Sequence, residues 1–411
     1  MNLIEELKAR GLIEHHSAEL EKIFGEKRTI YIGTDPTADS LHVGHLTWLL
    51  LLKRLGEAGH SLIVIVGGGT GMIGDPREMG ERSLLDDATL RKNTKALRAQ
   101  IQDILGGVRF RMVDNADWLK KVSLIDFLRD TGKHFTVNDL IKRDLIKRRL
   151  DTPNESISYT EFTYSLLQAY DYRELNQKYD CDVQLGGSDQ WTNVLSGVDL
   201  IRKKDGKEVF AVAFPLITDA AGKKFGKSEG NAVWLDPKKT SPFAFYQFWL
   251  GSDDASTEKY LKIFTFLPLR EIDAIIELHV RNPERRVAQR KLALEVTTSV
   301  HGETEAVRAE KFTDVLFGNA SFESLSSSER DALFASVPSA TVSNGATLVE
   351  ALTANDFIPS KSEARRLFEA KGIKLNGETV ETDRPLTKED FHNGLAILQK
   401  GKSDKLLVRF K

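Results

Sequence analysis

The sequence predicts an α/β protein with a parallel-sheet domain first, an α-helical domain next, and a small α+β tail. Three observations carry this. Short apolar runs ending at glycines alternate with helical segments up to about residue 235, the period turns wholly helical from Pro242 to about Phe317, and turn signals separate short strands after Ala346.

Thr29-Ile30-Tyr31-Ile32-Gly33 reads as a buried strand, followed by the turn-rich stretch 34–40. A helix then starts near His42, runs through Leu46, Leu49, Leu50 and Leu55, and stops at Gly59. Leu62-Ile63-Val64-Ile65-Val66 is continuously apolar, as a parallel strand covered on both faces requires, so strand, helix and strand form a βαβ unit. The pattern resumes with Asp182-Val183-Gln184-Leu185 and a helix from Gln190 to Arg202, whose first-turn amides Ser188 or Asp189 would cap. Gly318 to Gly345 has few periodic apolar residues and reads as a linker region of limited structure. In the tail, a helical segment from Ser362 to Ala370 precedes the strands Ile373-Lys374-Leu375 and Leu406-Leu407-Val408-Arg409, and Asn376-Gly377 marks a hairpin turn. The expected divisions are 1–235, 236–320, a linker at 321–345, and 346–411.

Lys and Arg number 58 against 60 Asp and Glu, a formal net charge of -2, which excludes an indiscriminate nucleic-acid binder. The single cysteine, Cys181, allows no internal disulfide and no thiolate pair for zinc, which suits a reducing compartment. The acidic start, Met1 to Glu6, lacks a signal-peptide core, and neither secretion nor membrane insertion is predicted.

Four constellations could carry chemistry. His42-Val43-Gly44-His45 sets two imidazoles where a helix opens, and the helix amides there favour phosphate; as a tetrapeptide alone it is equally a pair of surface histidines. Lys223-Lys224-Phe225-Gly226-Lys227-Ser228 is a glycine-containing basic loop suited to a polyphosphate, although alone it reads first as solvated lysines. The cluster from Gly67 to Gly74 contains a formal G-x-G-x-x-G at Gly69, Gly71 and Gly74 but fails as a dinucleotide fingerprint. Asp75-Pro76 breaks the chain where a helix should open, and Thr94 stands where an acidic ribose ligand is needed; a glycine-lined pocket wall with Asp75 pointing inward fits better. Tyr164, Gln168 and Asp171, spaced i, i+4 and i+7, put a phenol, an amide and a carboxylate on one helical stripe, which favours a polar pocket over a solvated face.

The order and spacing of these segments resemble the class I aminoacyl-tRNA synthetases, with His-Val-Gly-His opening the first helix and a late Lys-Phe-Gly-Lys-Ser loop. Residues 31–41, Gly74-Asp75-Pro76, the stretch from Thr160 to Asp171, and Gly186-Gly187-Ser188-Asp189-Gln190-Trp191 resemble the bacterial tyrosyl-tRNA synthetases in particular. The resemblance spans nearly the whole chain and implies a Rossmann-like catalytic domain and an S4-like RNA-binding tail.

It also implies residue roles. Tyr31 and Asp171 would hydrogen-bond the tyrosine hydroxyl, Asp75, Tyr164 and Gln168 would hold its ammonium, and Gln184 and Gln190 would orient the amino acid. Gly33, Asp35, Thr37, Gly44, Gly187 and Asp189 would bind the ribose and adenine of ATP, and His42, His45, Lys224, Lys227 and Ser228 would face its phosphates. Magnesium would come with ATP, held by phosphates and water rather than an acidic cage, so no protein metal ligand is expected. Two positions depart from the family pattern: Trp48 replaces a smaller residue near the nucleotide, and the 77–83 loop is shorter than usual. Lys361, Arg365, Arg366, Lys371 and Lys374 form a basic patch in the tail that would grip tRNA phosphates by shape. A cytoplasmic homodimer acting on L-tyrosine, ATP and tRNA(Tyr), with no membrane partner, is the implied setting.

Overall fold

The computed structural model describes residues 1–76, 84–218, 232–318, 320–343, 345–401 and 404–411. They divide into two compact units, one of residues 1–240 with 252–292 and one of residues 241–251 with 293–411.

The first unit holds a six-stranded sheet of β1 (His15–His16), β2 (Thr29–Thr34), β3 (Ser61–Val66), β4 (Phe110–Val113), β5 (Val183–Gly187) and β6 (Phe210–Phe214), in the order β1-β6-β5-β2-β3-β4. All neighbours are parallel except the short edge strand β1. Strands β5 and β6 are buried throughout, as suits strands covered on both faces, and apart from Gln184 of β5 their residues are apolar or small. The chain leaves β2 toward β3 on one side and later returns to its other side as β5. That reversal opens a crevice beyond the carboxyl ends of β2 and β5, the position where open parallel sheets bind ligands.

The first helix differs from expectation at its start. Residues Val43–His45 form a 3-10 turn, and the α-helix proper is Leu46–Glu57. The helix after β5, Trp191–Asp205, is entered through a 3-10 turn at Ser188–Gln190; neither Ser188 nor Asp189 caps it, because that tight turn precedes the helix's first amides. The stretch from Pro242 to Phe317, expected to be almost wholly helical, carries five α-helices among its described residues. They do not form a unit of their own, since helical periodicity specifies an apolar face but not what that face meets. Asp254–Phe264 and Leu269–Arg281 belong to the first unit, where Arg10 donates to the Leu267 carbonyl at 2.6 Å and the Arg54 guanidinium lies 4.1 Å from the centre of the Phe266 ring. Pro242–Leu250 and Glu303–Phe317 pack together in the second unit, where Gln247 donates to Thr313 at 2.6 Å.

The tail sheet is β7 (Ser339–Val342), β8 (Ile373–Leu375), β9 (Glu378–Thr379), β10 (Leu395–Lys400) and β11 (Asp404–Phe410), ordered β7-β11-β10-β8-β9. Residues 321–345 are therefore not a linker of limited structure. They carry a helix, Ser327–Ser336, started by a Ser326/Glu329 capping box, and the strand β7, which pairs parallel to β11 and adds Ala340 and Val342 to the tail core. A four-residue strand completed by chain some 70 residues later leaves little local signal. Asn376 and Gly377 have φ of 51° and 90°, the left-handed pair that a tight hairpin needs. Among the described residues, no helix is long and apolar enough to cross a membrane.

Candidate active site

Two adjoining cavities, of about 360 and 920 Å³, open at the sheet crevice. Both are lined by Asp35, Thr37, His42, His45, Asp75, Asp189 and Gln190. The smaller runs inward past Gly33, Gly44, Trp48 and Gly187 to Tyr31, Tyr164, Gln168, Asp171 and Gln184. The stripe on helix Tyr159–Tyr179 thus faces a pocket, because Tyr172 and Leu175 on its adjacent face take the core. Every described residue that the sequence nominated for tyrosine or ATP comes to this place. Lys224, Lys227 and Ser228, like the 77–83 loop, lie outside the described residues.

The inner end is built around Asp171, which is 4% exposed. Trp118 donates from its indole to Oδ1 at 2.7 Å, and Asn115 donates to Oδ2 at 2.8 Å. Burial nevertheless pushes this carboxyl up to about 7, against the lowering effect of those two donors. Tyr31 is 1% exposed, and burial, then the nearby Asp171, holds its phenol well above the ordinary value. Its hydroxyl, Gln168 Oε1 and Gln184 Oε1 are buried with no hydrogen-bond partner among the described residues. Such atoms are costly to leave unpaired, and they mark where a polar ligand belongs.

A polar chain leads outward from there. Asn115 also donates to Thr70 Oγ1 at 2.9 Å, Thr70 donates to Asp35 Oδ1 at 2.6 Å, and Tyr164 donates to Asp35 Oδ2 at 2.9 Å. The Tyr164 phenol oxygen keeps its acceptor capacity toward a cation. Thr70, Asn115 and Trp118 were not among the nominated residues. Their signal was positional, since Thr70 lies just after β3 and 114–118 directly follow β4 at the ligand-binding edge of the sheet.

The glycine cluster does not wall the cavity, although Asp75 does line it. Gly67, Gly68 and Gly69 stand behind it, where side chains would collide with neighbours. A Cβ on Gly67 would fall 2.3 Å from Asp35 Oδ1, and one on Gly68 would fall 2.5 Å from Asp114 Oδ1. The bare backbone instead donates from Gly69 to Asn115 Oδ1 at 2.8 Å.

The two histidines brace one another with ring centres 4.0 Å apart. His42 Nδ1 accepts from the Gly44 amide, and His45 Nδ1 accepts from the His42 amide, both at 3.1 Å. In a neutral ring this puts the hydrogen on Nε2, which makes that edge a donor suited to phosphate oxygens. The segment following the lysine loop is tied to the same motif: Val43 donates to the Val233 carbonyl at 2.9 Å, and Leu235 donates to that of Leu41 at 2.8 Å.

In the tail, Lys361, Arg365 and Arg366 are exposed on or beside one helix, Lys361–Glu369. Lys371 is exposed but paired with Glu381 at 2.6 Å, and Lys374 is half-buried in β8. Four of the five cations, all but Lys371, form no salt bridge among the described residues.

Comparison with known proteins agrees with this geometry. Residues 25–318 match the family model described as tRNA synthetases class I (W and Y), and residues 329–408 match that of the tyrosine–tRNA ligase SYY-like C-terminal domain. A tyrosine–tRNA ligase of Roseiflexus castenholzii is 44% identical over 421 residues, covering 99% of each chain. One of Leuconostoc citreum is 46% identical over 423 residues, covering 100% of each. The crystal structure of a C-terminally truncated mitochondrial tyrosyl-tRNA synthetase of Aspergillus nidulans superposes with a TM-score of 0.69 at 32% identity, covering 76% of this chain and 94% of that one.

Proposed function

Because the chain belongs to the class I tRNA synthetases that serve tryptophan and tyrosine, in their tyrosine–tRNA ligase branch, we propose that the smaller cavity seats L-tyrosine and that His42 and His45 face the phosphates of ATP. The reaction itself is that of the family: tyrosine and ATP give tyrosyl-adenylate and pyrophosphate, and the tyrosyl group passes to the 3'-terminal ribose of tRNA(Tyr). The observation that carries the seating of tyrosine is the unpartnered, buried Tyr31 hydroxyl beside Asp171. A phenol at that depth accepts from Tyr31 and donates to Asp171, whereas a phenylalanine ring leaves both unpaired. Asp75, Tyr164 and Gln168 then receive the ammonium, and Gln184 and Gln190 the amino-acid backbone.

In the first step an oxygen of the tyrosine carboxylate attacks the α-phosphorus while the bond to the bridging oxygen of pyrophosphate breaks. The Nε2–H groups of His42 and His45, with Lys224, Lys227 and Ser228, are the groups assigned to meet the charge that moves onto pyrophosphate. Gly33, Asp35, Thr37, Gly44, Gly187 and Asp189 bind the nucleoside. In the second step a ribose hydroxyl attacks the tyrosyl carbonyl carbon, and AMP leaves. No side chain is covalently modified. Magnesium would travel on the ATP phosphates; among the described residues, no three His, Cys, Asp or Glu side chains converge to hold it. The cytoplasm is the compartment proposed for this work, in keeping with the single cysteine, Cys181.

We further propose that Lys361, Arg365, Arg366, Lys371 and Lys374 bind tRNA and that the protein works as a homodimer. Leu124, Ile125 and Val137 are exposed apolar residues, by 69%, 69% and 62%, that a second copy would cover. Ile125→Glu is expected to shift the sedimentation coefficient to that of a monomer; an unchanged dimer would place the interface elsewhere.

Pyrophosphate exchange driven by each amino acid in turn tests the tyrosine seat. Tyrosine should drive it, and exchange driven by tryptophan alone would overturn the reading. Asp171 adds a pH signature. Its raised folded pKa means that its contribution to the stability of the empty protein is lost as pH rises from the ordinary carboxylate range through about 7. A substrate hydroxyl donating to it favours the ionised form, so the apparent Kd for tyrosine should fall about tenfold from pH 6 to pH 8, measured by equilibrium dialysis. A flat profile would deny Asp171 that contact.

A further inference from the structure

Asp75 is supported by a line of side chains that reaches well beyond the cavity. Gln190 donates Nε2–H to Asp75 Oδ2 at 2.7 Å. Asn193 donates Nδ2–H to Gln190 Oε1 at 3.0 Å and lies 3.5 Å from Asp75 Oδ1. Arg143 donates Nη1–H to Asn193 Oδ1 at 3.2 Å and Nη2–H to Ser196 Oγ at 2.7 Å. The Ser196 hydroxyl spends its own hydrogen on the Thr192 carbonyl at 2.8 Å, so its oxygen is left to accept from Arg143.

A side-chain amide can turn end for end with little change in shape, and its neighbours decide which end points where. Here the two ends of the line settle both amides. Arginine has only donors, so Asn193 must turn Oδ1 toward Arg143 and Nδ2 toward Gln190. Gln190 must then answer with Oε1 and present Nε2 to Asp75, which as a carboxylate only accepts. The line therefore has one sense, running from a donor-only group to an acceptor-only group. Reversing either amide would set donor against donor or acceptor against acceptor.

We infer that Arg143 and Asn193 are positioning residues for recognition of the substrate ammonium: their one-way run of hydrogen bonds through Gln190 holds the Asp75 carboxylate fixed where the ammonium binds. Arg143 directly precedes the Asp144–Asp151 helix, and Asn193 lies in the first turn of Trp191–Asp205. The run thus ties the loop bearing Asp75 to both helices. This rests on the reading of Asp75 as the ammonium partner.

The experiment separates the two ideas. Binding of L-tyrosine is compared with that of 3-(4-hydroxyphenyl)propionate, which keeps the phenol and carboxylate but lacks the ammonium, on the full chain and on Arg143→Met, Arg143→Lys, Asn193→Leu and Asp75→Asn. Arg143→Met and Asn193→Leu are each expected to weaken tyrosine about tenfold and to leave the analogue within about twofold. Arg143→Lys, still a donor-only cation, should recover most of the loss. In pyrophosphate exchange the defect should fall on the KM for tyrosine and not on kcat. Equal weakening of both ligands by Arg143→Met and Asn193→Leu, or no weakening by either, overturns the inference, and Asn193→Leu alone decides it if Arg143→Met does not fold. If Asp75→Asn also fails to distinguish the two ligands, the ammonium assignment is what falls.

Discussion

Removal of residues 320–411 is expected to lower tyrosyl transfer to tRNA by about 10³-fold while tyrosine-dependent pyrophosphate exchange stays within about twofold. The described residues of both cavities lie between His15 and Trp234, so activation requires nothing from the tail. The loss follows from the basic patch: five cation–phosphate contacts at about 1 kcal/mol each would forfeit over three decades of affinity. The place of the cut matters. Cutting at 346 would leave β7 without β11 and expose Ala340 and Val342. It would also strip the Ser327–Ser336 helix of the 2.7 Å ion pair between Asp331 and Arg409. Cutting at 320 removes that sheet whole. Exchange and charging assays on the same soluble preparation decide the matter; loss of exchange in a folded protein would show that the tail also serves activation.

Asp171→Asn should reduce kcat/KM for tyrosine by about 10³ and change that for phenylalanine little, collapsing the preference between them. Both Asp171 oxygens already accept, one from Trp118 and one from Asn115. An amide there must turn its NH2 toward one of these donors, so the substitution loses the charged acceptor for the substrate hydroxyl and also leaves a buried donor facing a donor. The opposing outcome, a fall shared equally by the two amino acids, would mean that Asp171 supports the cavity without reading the hydroxyl. The pH dependence of tyrosine binding should disappear in the same variant, because the group that titrates near 7 is gone.

What the sequence made legible was what neighbours along the chain determine. The strands β2, β3 and β5 follow from short apolar runs closed by glycine, and Tyr164, Gln168 and Asp171 share a face because a helix repeats every 3.6 residues. What stayed hidden depends on distant partners. Asn115 reads as an ordinary turn residue until the fold brings it to Asp171, 56 residues on, and the purpose of Gly67 emerges only when Asp35 occupies the space beside it. Arg143 and Asn193, 50 residues apart, carry no motif. The strand β7 was concealed for the same reason, since its apolar residues are few and its hydrogen bonds lie with β11. The helical period from Pro242 to Phe317 showed that the stretch is helical but not the units to which its helices belong.

The Tyr164–Asp35 hydrogen bond has a thermodynamic consequence. Tyr164 sits where the amino acid is proposed to bind and Asp35 where the nucleoside is, and the 2.9 Å contact makes each part of the other's environment. An ammonium drawing on the phenol oxygen polarises its O–H toward Asp35, and a ribose competing for Asp35 loosens its hold on the phenol. The two substrates are then coupled before any bond between them forms. Whatever factor tyrosine imposes on the affinity for ATP, ATP must impose on the affinity for tyrosine, and replacing the phenol by Phe at this position should bring that factor closer to one.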